Sequence, residues 1–205
     1  MARRTKEDAD ATRSSLLDAA ERVFYEKGVV RASLGEIAQV AGATRGAIYW
    51  HFKDKVDLFN AMMDRVSLPL EEVCADDGCG DGGALVRMLA MIDRVVGVVT
   101  CDERTRRVFE IAFYRVEYVE ELRAVRERHL AVQARFHAIV SRDLGLAARE
   151  CGLVLPMGVE VAAAGLHALF DGLLHQWILR EARYDLRLVV RSSVLIYLRG
   201  LGFHV

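Results

Sequence analysis

The sequence predicts an all-α protein with an N-terminal three-helix domain and a larger C-terminal helical domain. Three observations predict this class. Apolar side chains make up 53% of the 205 residues, and they recur three and four residues apart along most of the chain. No stretch alternates apolar and polar residues convincingly enough to indicate a strand. Only two prolines occur, so few positions oppose a continuous helix.

The first predicted helix spans residues 12–27 and ends at Gly28, a residue that readily takes the left-handed conformation of a helix stop. A second helix begins after Ser33, which precedes Glu36 by three residues in the spacing of a capping box. Together with the next helix, these elements predict a small core formed by Leu16, Val23, Phe24, Ile37, Ile48 and Phe52.

A helix-turn-helix is predicted where the second helix stops at Gly42 and Thr44 caps a third helix over residues 45–51. In this motif the second of the two helices lies in the DNA major groove, with its N-terminal residues at the base edges. Arg45 occupies that end, and arginine pairs with O6 and N7 of guanine. The residues predicted to form the DNA-binding surface are Ser33, Thr44, Arg45, Gly46, Tyr49, Trp50, His51 and Lys55.

Gly46 is unexpected inside so short a helix, because glycine costs about 1 kcal/mol there relative to alanine. Its presence therefore predicts a surface that another molecule approaches closely. Tyr49 and His51 can reach phosphates or a thymine methyl group, and Lys55 lies in the first turn of the next helix. Phosphate contacts of this kind fix the register of a protein on DNA without reading its sequence.

The run Tyr49-Trp50-His51-Phe52-Lys53-Asp54-Lys55 resembles the end of the DNA-binding domain of the tetracycline-repressor (TetR) family. The longer run from Thr44 to Lys53 is similar to the branch that governs multidrug efflux pumps, the AcrR-like proteins. Looser similarity to that branch extends to residues 113–122 and 171–177. The resemblance implies a ligand-responsive repressor that binds a double-stranded DNA operator.

Four segments are predicted from the residues and the resemblance together. Residues 1–11 form a mobile basic arm, residues 12–53 the helix-turn-helix DNA-binding domain, residues 54–75 a linking helix, and residues 76–205 a helical ligand-binding and dimerisation domain. Within the arm, Arg3, Arg4 and Lys6 are predicted either to contact DNA phosphates or to be simply solvated, and the sequence favours neither alternative.

The charge balance excludes a protein that coats polyanions through bulk charge. The chain carries 28 basic and 29 acidic side chains, and residues 1–66 carry 11 and 10, a net charge of +1. DNA binding must therefore come from a locally arranged basic surface.

The sequence predicts a cytoplasmic protein that does not enter a membrane. No apolar run approaches the roughly 18 residues of a membrane span, and the charged N-terminus lacks the apolar core of a signal peptide. The four cysteines, Cys74, Cys79, Cys101 and Cys151, are expected to be reduced thiols. No histidine lies at zinc-finger spacing from them, so neither a metal nor a cofactor is expected.

Residue Pro69 is expected to kink the linking helix or end it nearby. A glycine-rich loop is predicted over residues 76–83, and it lacks the Lys-Ser/Thr ending of a phosphate-binding loop. Beyond it, helices are predicted over residues 84–100, from Asp102 onward, and over residues 118–144. A second loop is predicted from Gly145 to Gly158.

The last two predicted helices, residues 159–180 and 186–201, carry more apolar surface than one contact can bury. Either they form the core of one domain, or part of their surface faces a second copy of the chain. The TetR resemblance implies the second alternative, a homodimer built on a four-helix bundle. A two-fold dimer would present two recognition helices to a pseudo-palindromic operator.

A small-molecule site is predicted among the middle helices, where Met and aromatic residues are interleaved with a few polar ones. The alternative is that these side chains are ordinary core. By analogy with the family, a ligand would be a small hydrophobic inducer, bulky and often cationic, with Asp or Glu as its counter-charge. The candidates are Met88, Ile92, Phe109, Phe113, Glu117, Gln133, His137, Phe170, Asp171 and Trp177.

Three functions compete at this point. The first is a repressor of a multidrug efflux operon that bulky hydrophobic compounds release from DNA. The second is a TetR-family repressor of metabolic genes that senses an acyl or other metabolite. The third is a helical enzyme or structural dimer without a DNA function. No nucleophile–base pair or cofactor motif is found, so catalysis is not expected.

Overall fold

The computed structural model describes residues 6–75, 83–117, 119–180 and 183–205, and at 68–75 and 121 it describes the backbone alone. The fold in these ranges consists of helices joined by turns and loops. These ranges contain no strand, which confirms the predicted all-α class. The helices are α1 (Lys6–Lys27), α2 (Leu34–Val40), α3 (Arg45–His51), α4 (Lys55–Ala75), α5 (Gly83–Cys101), α6 (Glu103–Tyr114), α7 (Arg123–Glu150), α8 (Val159–Leu179) and α9 (Leu186–Gly200), with a 3₁₀ turn at Glu120–Leu122.

Contacts divide the chain into two compact units. The first, called the head here, comprises Met1–Leu68 and Arg104–Arg128, and the second, called the body, comprises Pro69–Glu103 and His129–Val205. The head therefore includes most of α6 and the start of α7, although these elements are distant from α1–α3 in sequence. The division by role that the sequence predicts at residues 11, 53 and 75 stays a prediction.

Helix α1 begins at Lys6, earlier than the predicted Thr12. Glu7 and Asp8 lie in its first turn, where negative charge is favourable beside the positive end of the helix dipole. Residues 6–11 are therefore helical. Arg3 and Arg4, the other basic residues of the predicted arm, lie outside the described residues.

The core of the head confirms the predicted small core. All six residues named for it are at most 2% exposed: Leu16, Val23, Phe24, Ile37, Ile48 and Phe52. The same cluster continues into α6 and α7 through Val108, Ile111 and Val125. The recognition motif thus rests on a core that a distant part of the chain completes.

Polar contacts reinforce this attachment of α6 to α1. Glu21 is 6% exposed, and its carboxylate accepts a 3.1 Å hydrogen bond from Arg107. Burial raises the pKa of Glu21, and the nearby Arg107 guanidinium opposes that shift. Asp18 pairs with Arg104 at 3.0 Å, and the backbone N–H of Val29 donates to the carbonyl of Arg115.

Helix α4 does not end at Pro69 but continues to Ala75. A proline inside a helix removes one backbone hydrogen bond and crowds the carbonyl four residues earlier, so the kink expected at Pro69 stays a prediction. The glycine-rich loop predicted next falls on residues 76–82, which lie outside the described residues, and on Gly83, where α5 begins.

Helix α7 differs from its prediction at both ends. It starts at Arg123 after the 3₁₀ turn, and it continues to Glu150, so the predicted loop from Gly145 is wrong over its first six residues. Gly145 serves close packing rather than helix termination, because a Cβ there would come within 3.3 Å of the Val159 side chain. The helix stop is Gly152, whose φ of +65° is the left-handed conformation.

In the body, α8 packs mainly on α9. Tyr197 lies against Gly165, where a side chain would collide with its hydroxyl, and that hydroxyl donates to the carbonyl of Ala162 at 2.9 Å. Four large apolar side chains on these helices nevertheless remain more than half exposed: Val161, Leu179, Leu188 and Ile196. In the described part of the chain, no helix combines the length and apolar character needed to cross a membrane.

Candidate DNA-binding interface

The helix-turn-helix is fixed locally by two hydroxyl caps. The Ser33 hydroxyl accepts a 3.2 Å hydrogen bond from the Glu36 N–H at the start of α2, and the Thr44 hydroxyl accepts one of 3.2 Å from Ala47 at the start of α3. Between them, Gly42 adopts a φ of +66°. Each cap satisfies an otherwise unpaired helix N–H, so these side chains set where both helices begin.

Helix α3 has one buried face and one exposed face. Ile48 is fully buried in the head core, whereas Tyr49 is 62% exposed and Trp50 73% exposed. Arg45 and Gly46 are also exposed. Two large aromatic side chains left in solvent on one short helix indicate a surface that another molecule covers.

The C-terminal end of α3 is held by aromatic contacts. Phe52 is 1% exposed, and the guanidinium carbon of Arg13 lies 5.3 Å from its ring centroid. His51 is half-buried and meets Trp50 edge to face, with ring centroids 4.5 Å apart. The predicted phosphate contact of His51 therefore involves a ring that already packs against its neighbour.

The turn into α4 is fixed by two aspartate side chains that accept hydrogen bonds from backbone N–H groups. Asp54 accepts from the N–H of Asp57 at 2.8 Å, and Asp57 accepts from the N–H of Lys53 at 2.9 Å. This arrangement fixes the exposed Lys53 between the recognition helix and α4. Lys53 was not among the predicted DNA-binding residues, although it lies in the motif that carries the TetR resemblance.

Lys55 is occupied within the head. Its ammonium donates to the carbonyls of Val30 at 2.7 Å and Ala32 at 3.2 Å. An ammonium has three N–H donors, so at most one of them remains for a phosphate. Lys55 therefore holds the loop before α2 against α4, and its predicted phosphate contact stays a prediction.

One feature of the interface was not predicted from the sequence. The Arg45 guanidinium lies within 3.0 Å of the position that a Cβ on Gly35 of α2 would take. Sequence spacing places both residues near the N-terminal ends of their helices, but only the packing of α2 against α3 brings them into contact.

We expect replacement of Gly46 by Ala to weaken operator binding without destabilising α3. An added Cβ would meet only the Thr44 hydroxyl, at 3.9 Å, so the head has room for it. The variant should unfold at the same or a higher temperature, because alanine favours the helix by up to about 1 kcal/mol. Operator affinity should nevertheless fall, since the methyl group occupies space that the DNA backbone needs. Unchanged affinity in a titration would show that DNA does not approach Gly46 closely.

The predicted ligand-binding residues are divided between the two units. Phe109, Phe113 and Glu117 belong to the head, where Phe109 and Phe113 stack with ring centroids 5.7 Å apart and pack against its core. The other seven belong to the body. Four of those are buried and three half-buried: Met88, Ile92, Phe170 and Trp177, then Gln133, His137 and Asp171.

Trp177 is committed to internal packing. It is 4% exposed, and its indole N–H donates to the carbonyl of Tyr184 at 2.9 Å. The Tyr184 hydroxyl in turn donates to the carbonyl of Leu173. These contacts close the end of α8 against the segment before α9.

Other body candidates belong to a cluster of aromatic and imidazole rings on α7 and α8. Phe136 stacks on Phe170 at 5.4 Å and lies 5.2 Å from His167, whose ring is 5.9 Å from that of His137. The Asp171 carboxylate lies 3.7 Å from the His175 ring. The rings of Phe136, His137, His167, Phe170 and His175, together with the Asp171 carboxylate, are called the ring cluster, and His129 interacts electrostatically with Asp171 and His175.

Burial lowers the pKa of His129 and of His167 below the usual 6.5, because desolvation disfavours an imidazolium, and nearby Asp171 offsets part of the shift. As the pH falls below about 6.5, the unfolded chain takes up these protons before the folded one does. The contribution of the two neutral rings to stability is therefore present above the unfolded-state pKa and is lost as the pH falls.

We expect the urea midpoint of the body to decrease between pH 7.5 and pH 5.5. Trp177 reports this transition alone in a Trp50→Phe background, because the chain has two tryptophans. The decrease should be smaller after His129→Gln and His167→Gln together, and unchanged after His204→Gln, which alters an exposed ring near the C-terminus. An equal decrease in all variants would contradict the assignment.

Comparison with known families agrees with this geometry. Residues 16–62, which contain the helix-turn-helix, match the family described as "Bacterial regulatory proteins, tetR family". Residues 85–203 match the "MAATS-type transcriptional repressor, C-terminal region", so this second match covers more than half of the chain. The chain belongs to the TetR family. The resemblance carried by α3 and the residues around it is thereby confirmed, and this TetR-family protein is a helix-turn-helix transcription regulator.

Individual relatives match over nearly the full length. The transcriptional regulator TtgR of Pseudomonas putida is 35% identical over 187 residues, which cover 91% of this chain and 89% of TtgR. NalD, described as the secondary repressor of the MexAB-OprM multidrug efflux pump in Pseudomonas aeruginosa, superposes with a TM-score of 0.84 at 35% identity and covers 96% of this chain and 98% of its own. SmeT in its complex with triclosan superposes with a TM-score of 0.79 at 31% identity, and the match covers 93% of this chain and 91% of SmeT.

Proposed function

We propose that this TetR-family protein represses a multidrug efflux operon and that bulky hydrophobic compounds release it from a pseudo-palindromic operator. The observation that carries the proposal is the match to NalD over nearly all of both chains, because NalD is a repressor of an efflux pump. SmeT, described as the repressor of the SmeDEF multidrug efflux pump of Stenotrophomonas maltophilia, adds a second such neighbour.

The ring cluster supports an aromatic ligand in the body. Stacked Phe136 and Phe170 offer aromatic faces, and Asp171 adds one half-buried carboxylate beside the His175 ring. Apolar walls with a few polar groups are the usual composition of a small-molecule site. A carboxylate beside aromatic rings favours a cationic ligand, while triclosan, which SmeT binds, shows that a related protein accepts a small hydrophobic one.

The exposed apolar side chains of α8 and α9 support a homodimer. Val161 and Leu179 on α8 and Leu188 and Ile196 on α9 are each more than half exposed. A second copy would remove these side chains from water, and a two-fold dimer would present two α3 helices at a spacing that a pseudo-palindromic operator matches. The protein would work in the cytoplasm, without catalysis and without entering a membrane.

Release requires that the ligand distinguish two states of the protein. Helix α4 contributes residues to both the head and the body, so a change in the body can reach the head along one continuous helix. A compound can shift the equilibrium only by the difference between its affinities for the DNA-competent and the released state.

The proposal is tested by fluorescence anisotropy on labelled DNA from immediately upstream of the gene. A preformed complex is titrated with triclosan, with tetraphenylphosphonium as a bulky cation, and with stearoyl-CoA as a metabolite-like acyl ligand. Release by the first two supports an efflux repressor. Release by stearoyl-CoA alone would contradict it and favour a regulator of metabolic genes, and release by none would exclude an inducer of these classes. A matched titration of scrambled DNA controls for direct binding of each compound to DNA.

A further inference from the structure

The Arg45 side chain of the recognition helix lies close to Gly35 at the start of α2. A Cβ placed on Gly35 would lie 2.8 Å from Nε of Arg45 and 3.0 Å from its Nη2. The first distance is shorter than a Cβ contact in a folded protein and the second is tighter than most, so a side chain at position 35 would require the flexible end of Arg45 to move. Arg45 thus lies across the start of α2 rather than extending freely into solvent.

The fold alone gives no reason for a glycine at this position. Gly35 is the second residue of α2 and has ordinary helical backbone, unlike Gly28 and Gly42, whose φ angles are positive. Alanine would favour the helix by up to about 1 kcal/mol. The only atoms that an added Cβ would meet within 3.4 Å belong to the Arg45 side chain. The side chain that an alanine at position 35 would displace is therefore that of Arg45.

We propose that Gly35 is a positioning residue for Arg45, which allows the guanidinium to rest against α2 in the orientation used to read a base. The inference rests on the role of Arg45 in operator recognition within the proposed function. An arginine reads guanine through two parallel hydrogen bonds, so the plane of its fork matters as well as its position. A side chain that is ordered before binding loses less conformational entropy on binding. With alanine at position 35, the guanidinium is displaced and must be ordered by the DNA itself.

The test is a double-mutant cycle on operator DNA with Gly35→Ala, Arg45→Ala and the double variant. Gln39→Ala is the matched control, since it adds no atom and alters an exposed position on the same helix. Gly35→Ala should fold and should bind the operator about 3- to 10-fold more weakly, the effect expected from the lost ordering of one long side chain. In the Arg45→Ala background it should have no further effect. Affinities for operators with single base-pair changes should show that Gly35→Ala weakens discrimination at the same positions as Arg45→Ala.

The other possible results also show whether Gly35 positions Arg45. An equal loss from Gly35→Ala with and without Arg45 would overturn it, because alanine would then act directly on DNA or on α2. Unchanged affinity and discrimination would also overturn it. If Gly35→Ala fails to fold, recovery of folding in the double variant supports the contact, whereas failure of the double variant contradicts it. If Arg45→Ala binds as the parent does, Arg45 does not read the operator and the inference falls, while ligand release by the parent still tests the proposed function separately.

Discussion

Replacing Arg45 with Ala should weaken operator binding about 5- to 150-fold and flatten the preference for one base pair in each half-site. Arg45 is an exposed residue at the start of α3, the end of the helix that meets base edges, and its guanidinium lies close to Gly35 of α2. Loss of a bidentate arginine–guanine pair removes about 1–3 kcal/mol of discrimination. The effect is measured by anisotropy on the operator and on variants with each base pair changed in turn.

Lys53→Ala is the matched control for a positive charge that does not read bases. Lys53 is exposed at the turn after α3, and its backbone N–H, not its side chain, makes the hydrogen bond to Asp57. Its removal should weaken binding to all DNA sequences alike and reduce the salt dependence of binding, as loss of a phosphate contact does. If Arg45→Ala behaves in the same uniform way, then Arg45 contacts phosphate and does not specify a base.

Replacing Ile48 with Ala should destabilise the head by about 2–5 kcal/mol, the usual cost of truncating a buried aliphatic side chain. Ile48 is fully buried and is the only buried residue within α3. The recognition helix therefore depends on it, together with Phe52 just beyond, for its attachment to the head. Urea unfolding followed by circular dichroism measures the loss, and operator binding should decrease as the head unfolds.

The neighbouring Tyr49→Ala variant distinguishes packing from recognition. Tyr49 is 62% exposed, so its truncation should leave the urea midpoint nearly unchanged while still weakening DNA binding. If Ile48→Ala is as stable as the parent, α3 is held by contacts other than its buried face. If Tyr49→Ala is strongly destabilised, the exposed face of α3 has a structural role that its solvent exposure does not indicate.

The helix-turn-helix could be predicted from sequence because its determinants are local. The caps at Ser33 and Thr44 act on N–H groups three residues ahead, and the turn at Gly42 depends on the conformation of that residue alone. The core positions Ile37 and Ile48 follow from helical periodicity. Such signals survive in a single sequence, although the Glu36 carboxylate pairs with Lys27 and does not complete the predicted capping box.

Contacts between distant segments could not be predicted in the same way. Nothing in the periodicity of α6 indicates that its residues complete the head core, or that Arg107 pairs with the buried Glu21 of α1. Gly145 shows the same limit, because a glycine that permits close packing of Val159 has the same sequence appearance as a helix stop. The Gly35–Arg45 contact also arises only when α2 and α3 are packed together.

The ligand-binding residues were the hardest to predict, because a Met or aromatic residue at helical spacing serves core and pocket equally well. Trp177 illustrates the difficulty, since its indole is buried and hydrogen-bonded within the body. Asp171 is distinguished by its chemistry, a half-buried carboxylate beside imidazoles. For every candidate, Trp177 and Asp171 included, the role in ligand binding stays a prediction.

Selection of binding sites from a pool of random double-stranded DNA tests most directly whether α3 reads a specific operator as part of a two-fold dimer. The parent protein should enrich a pseudo-palindromic sequence that it binds at least about a thousandfold more tightly than scrambled DNA at physiological salt. Enrichment of no sequence, or of a motif without two-fold symmetry, would contradict a dimeric operator-specific repressor.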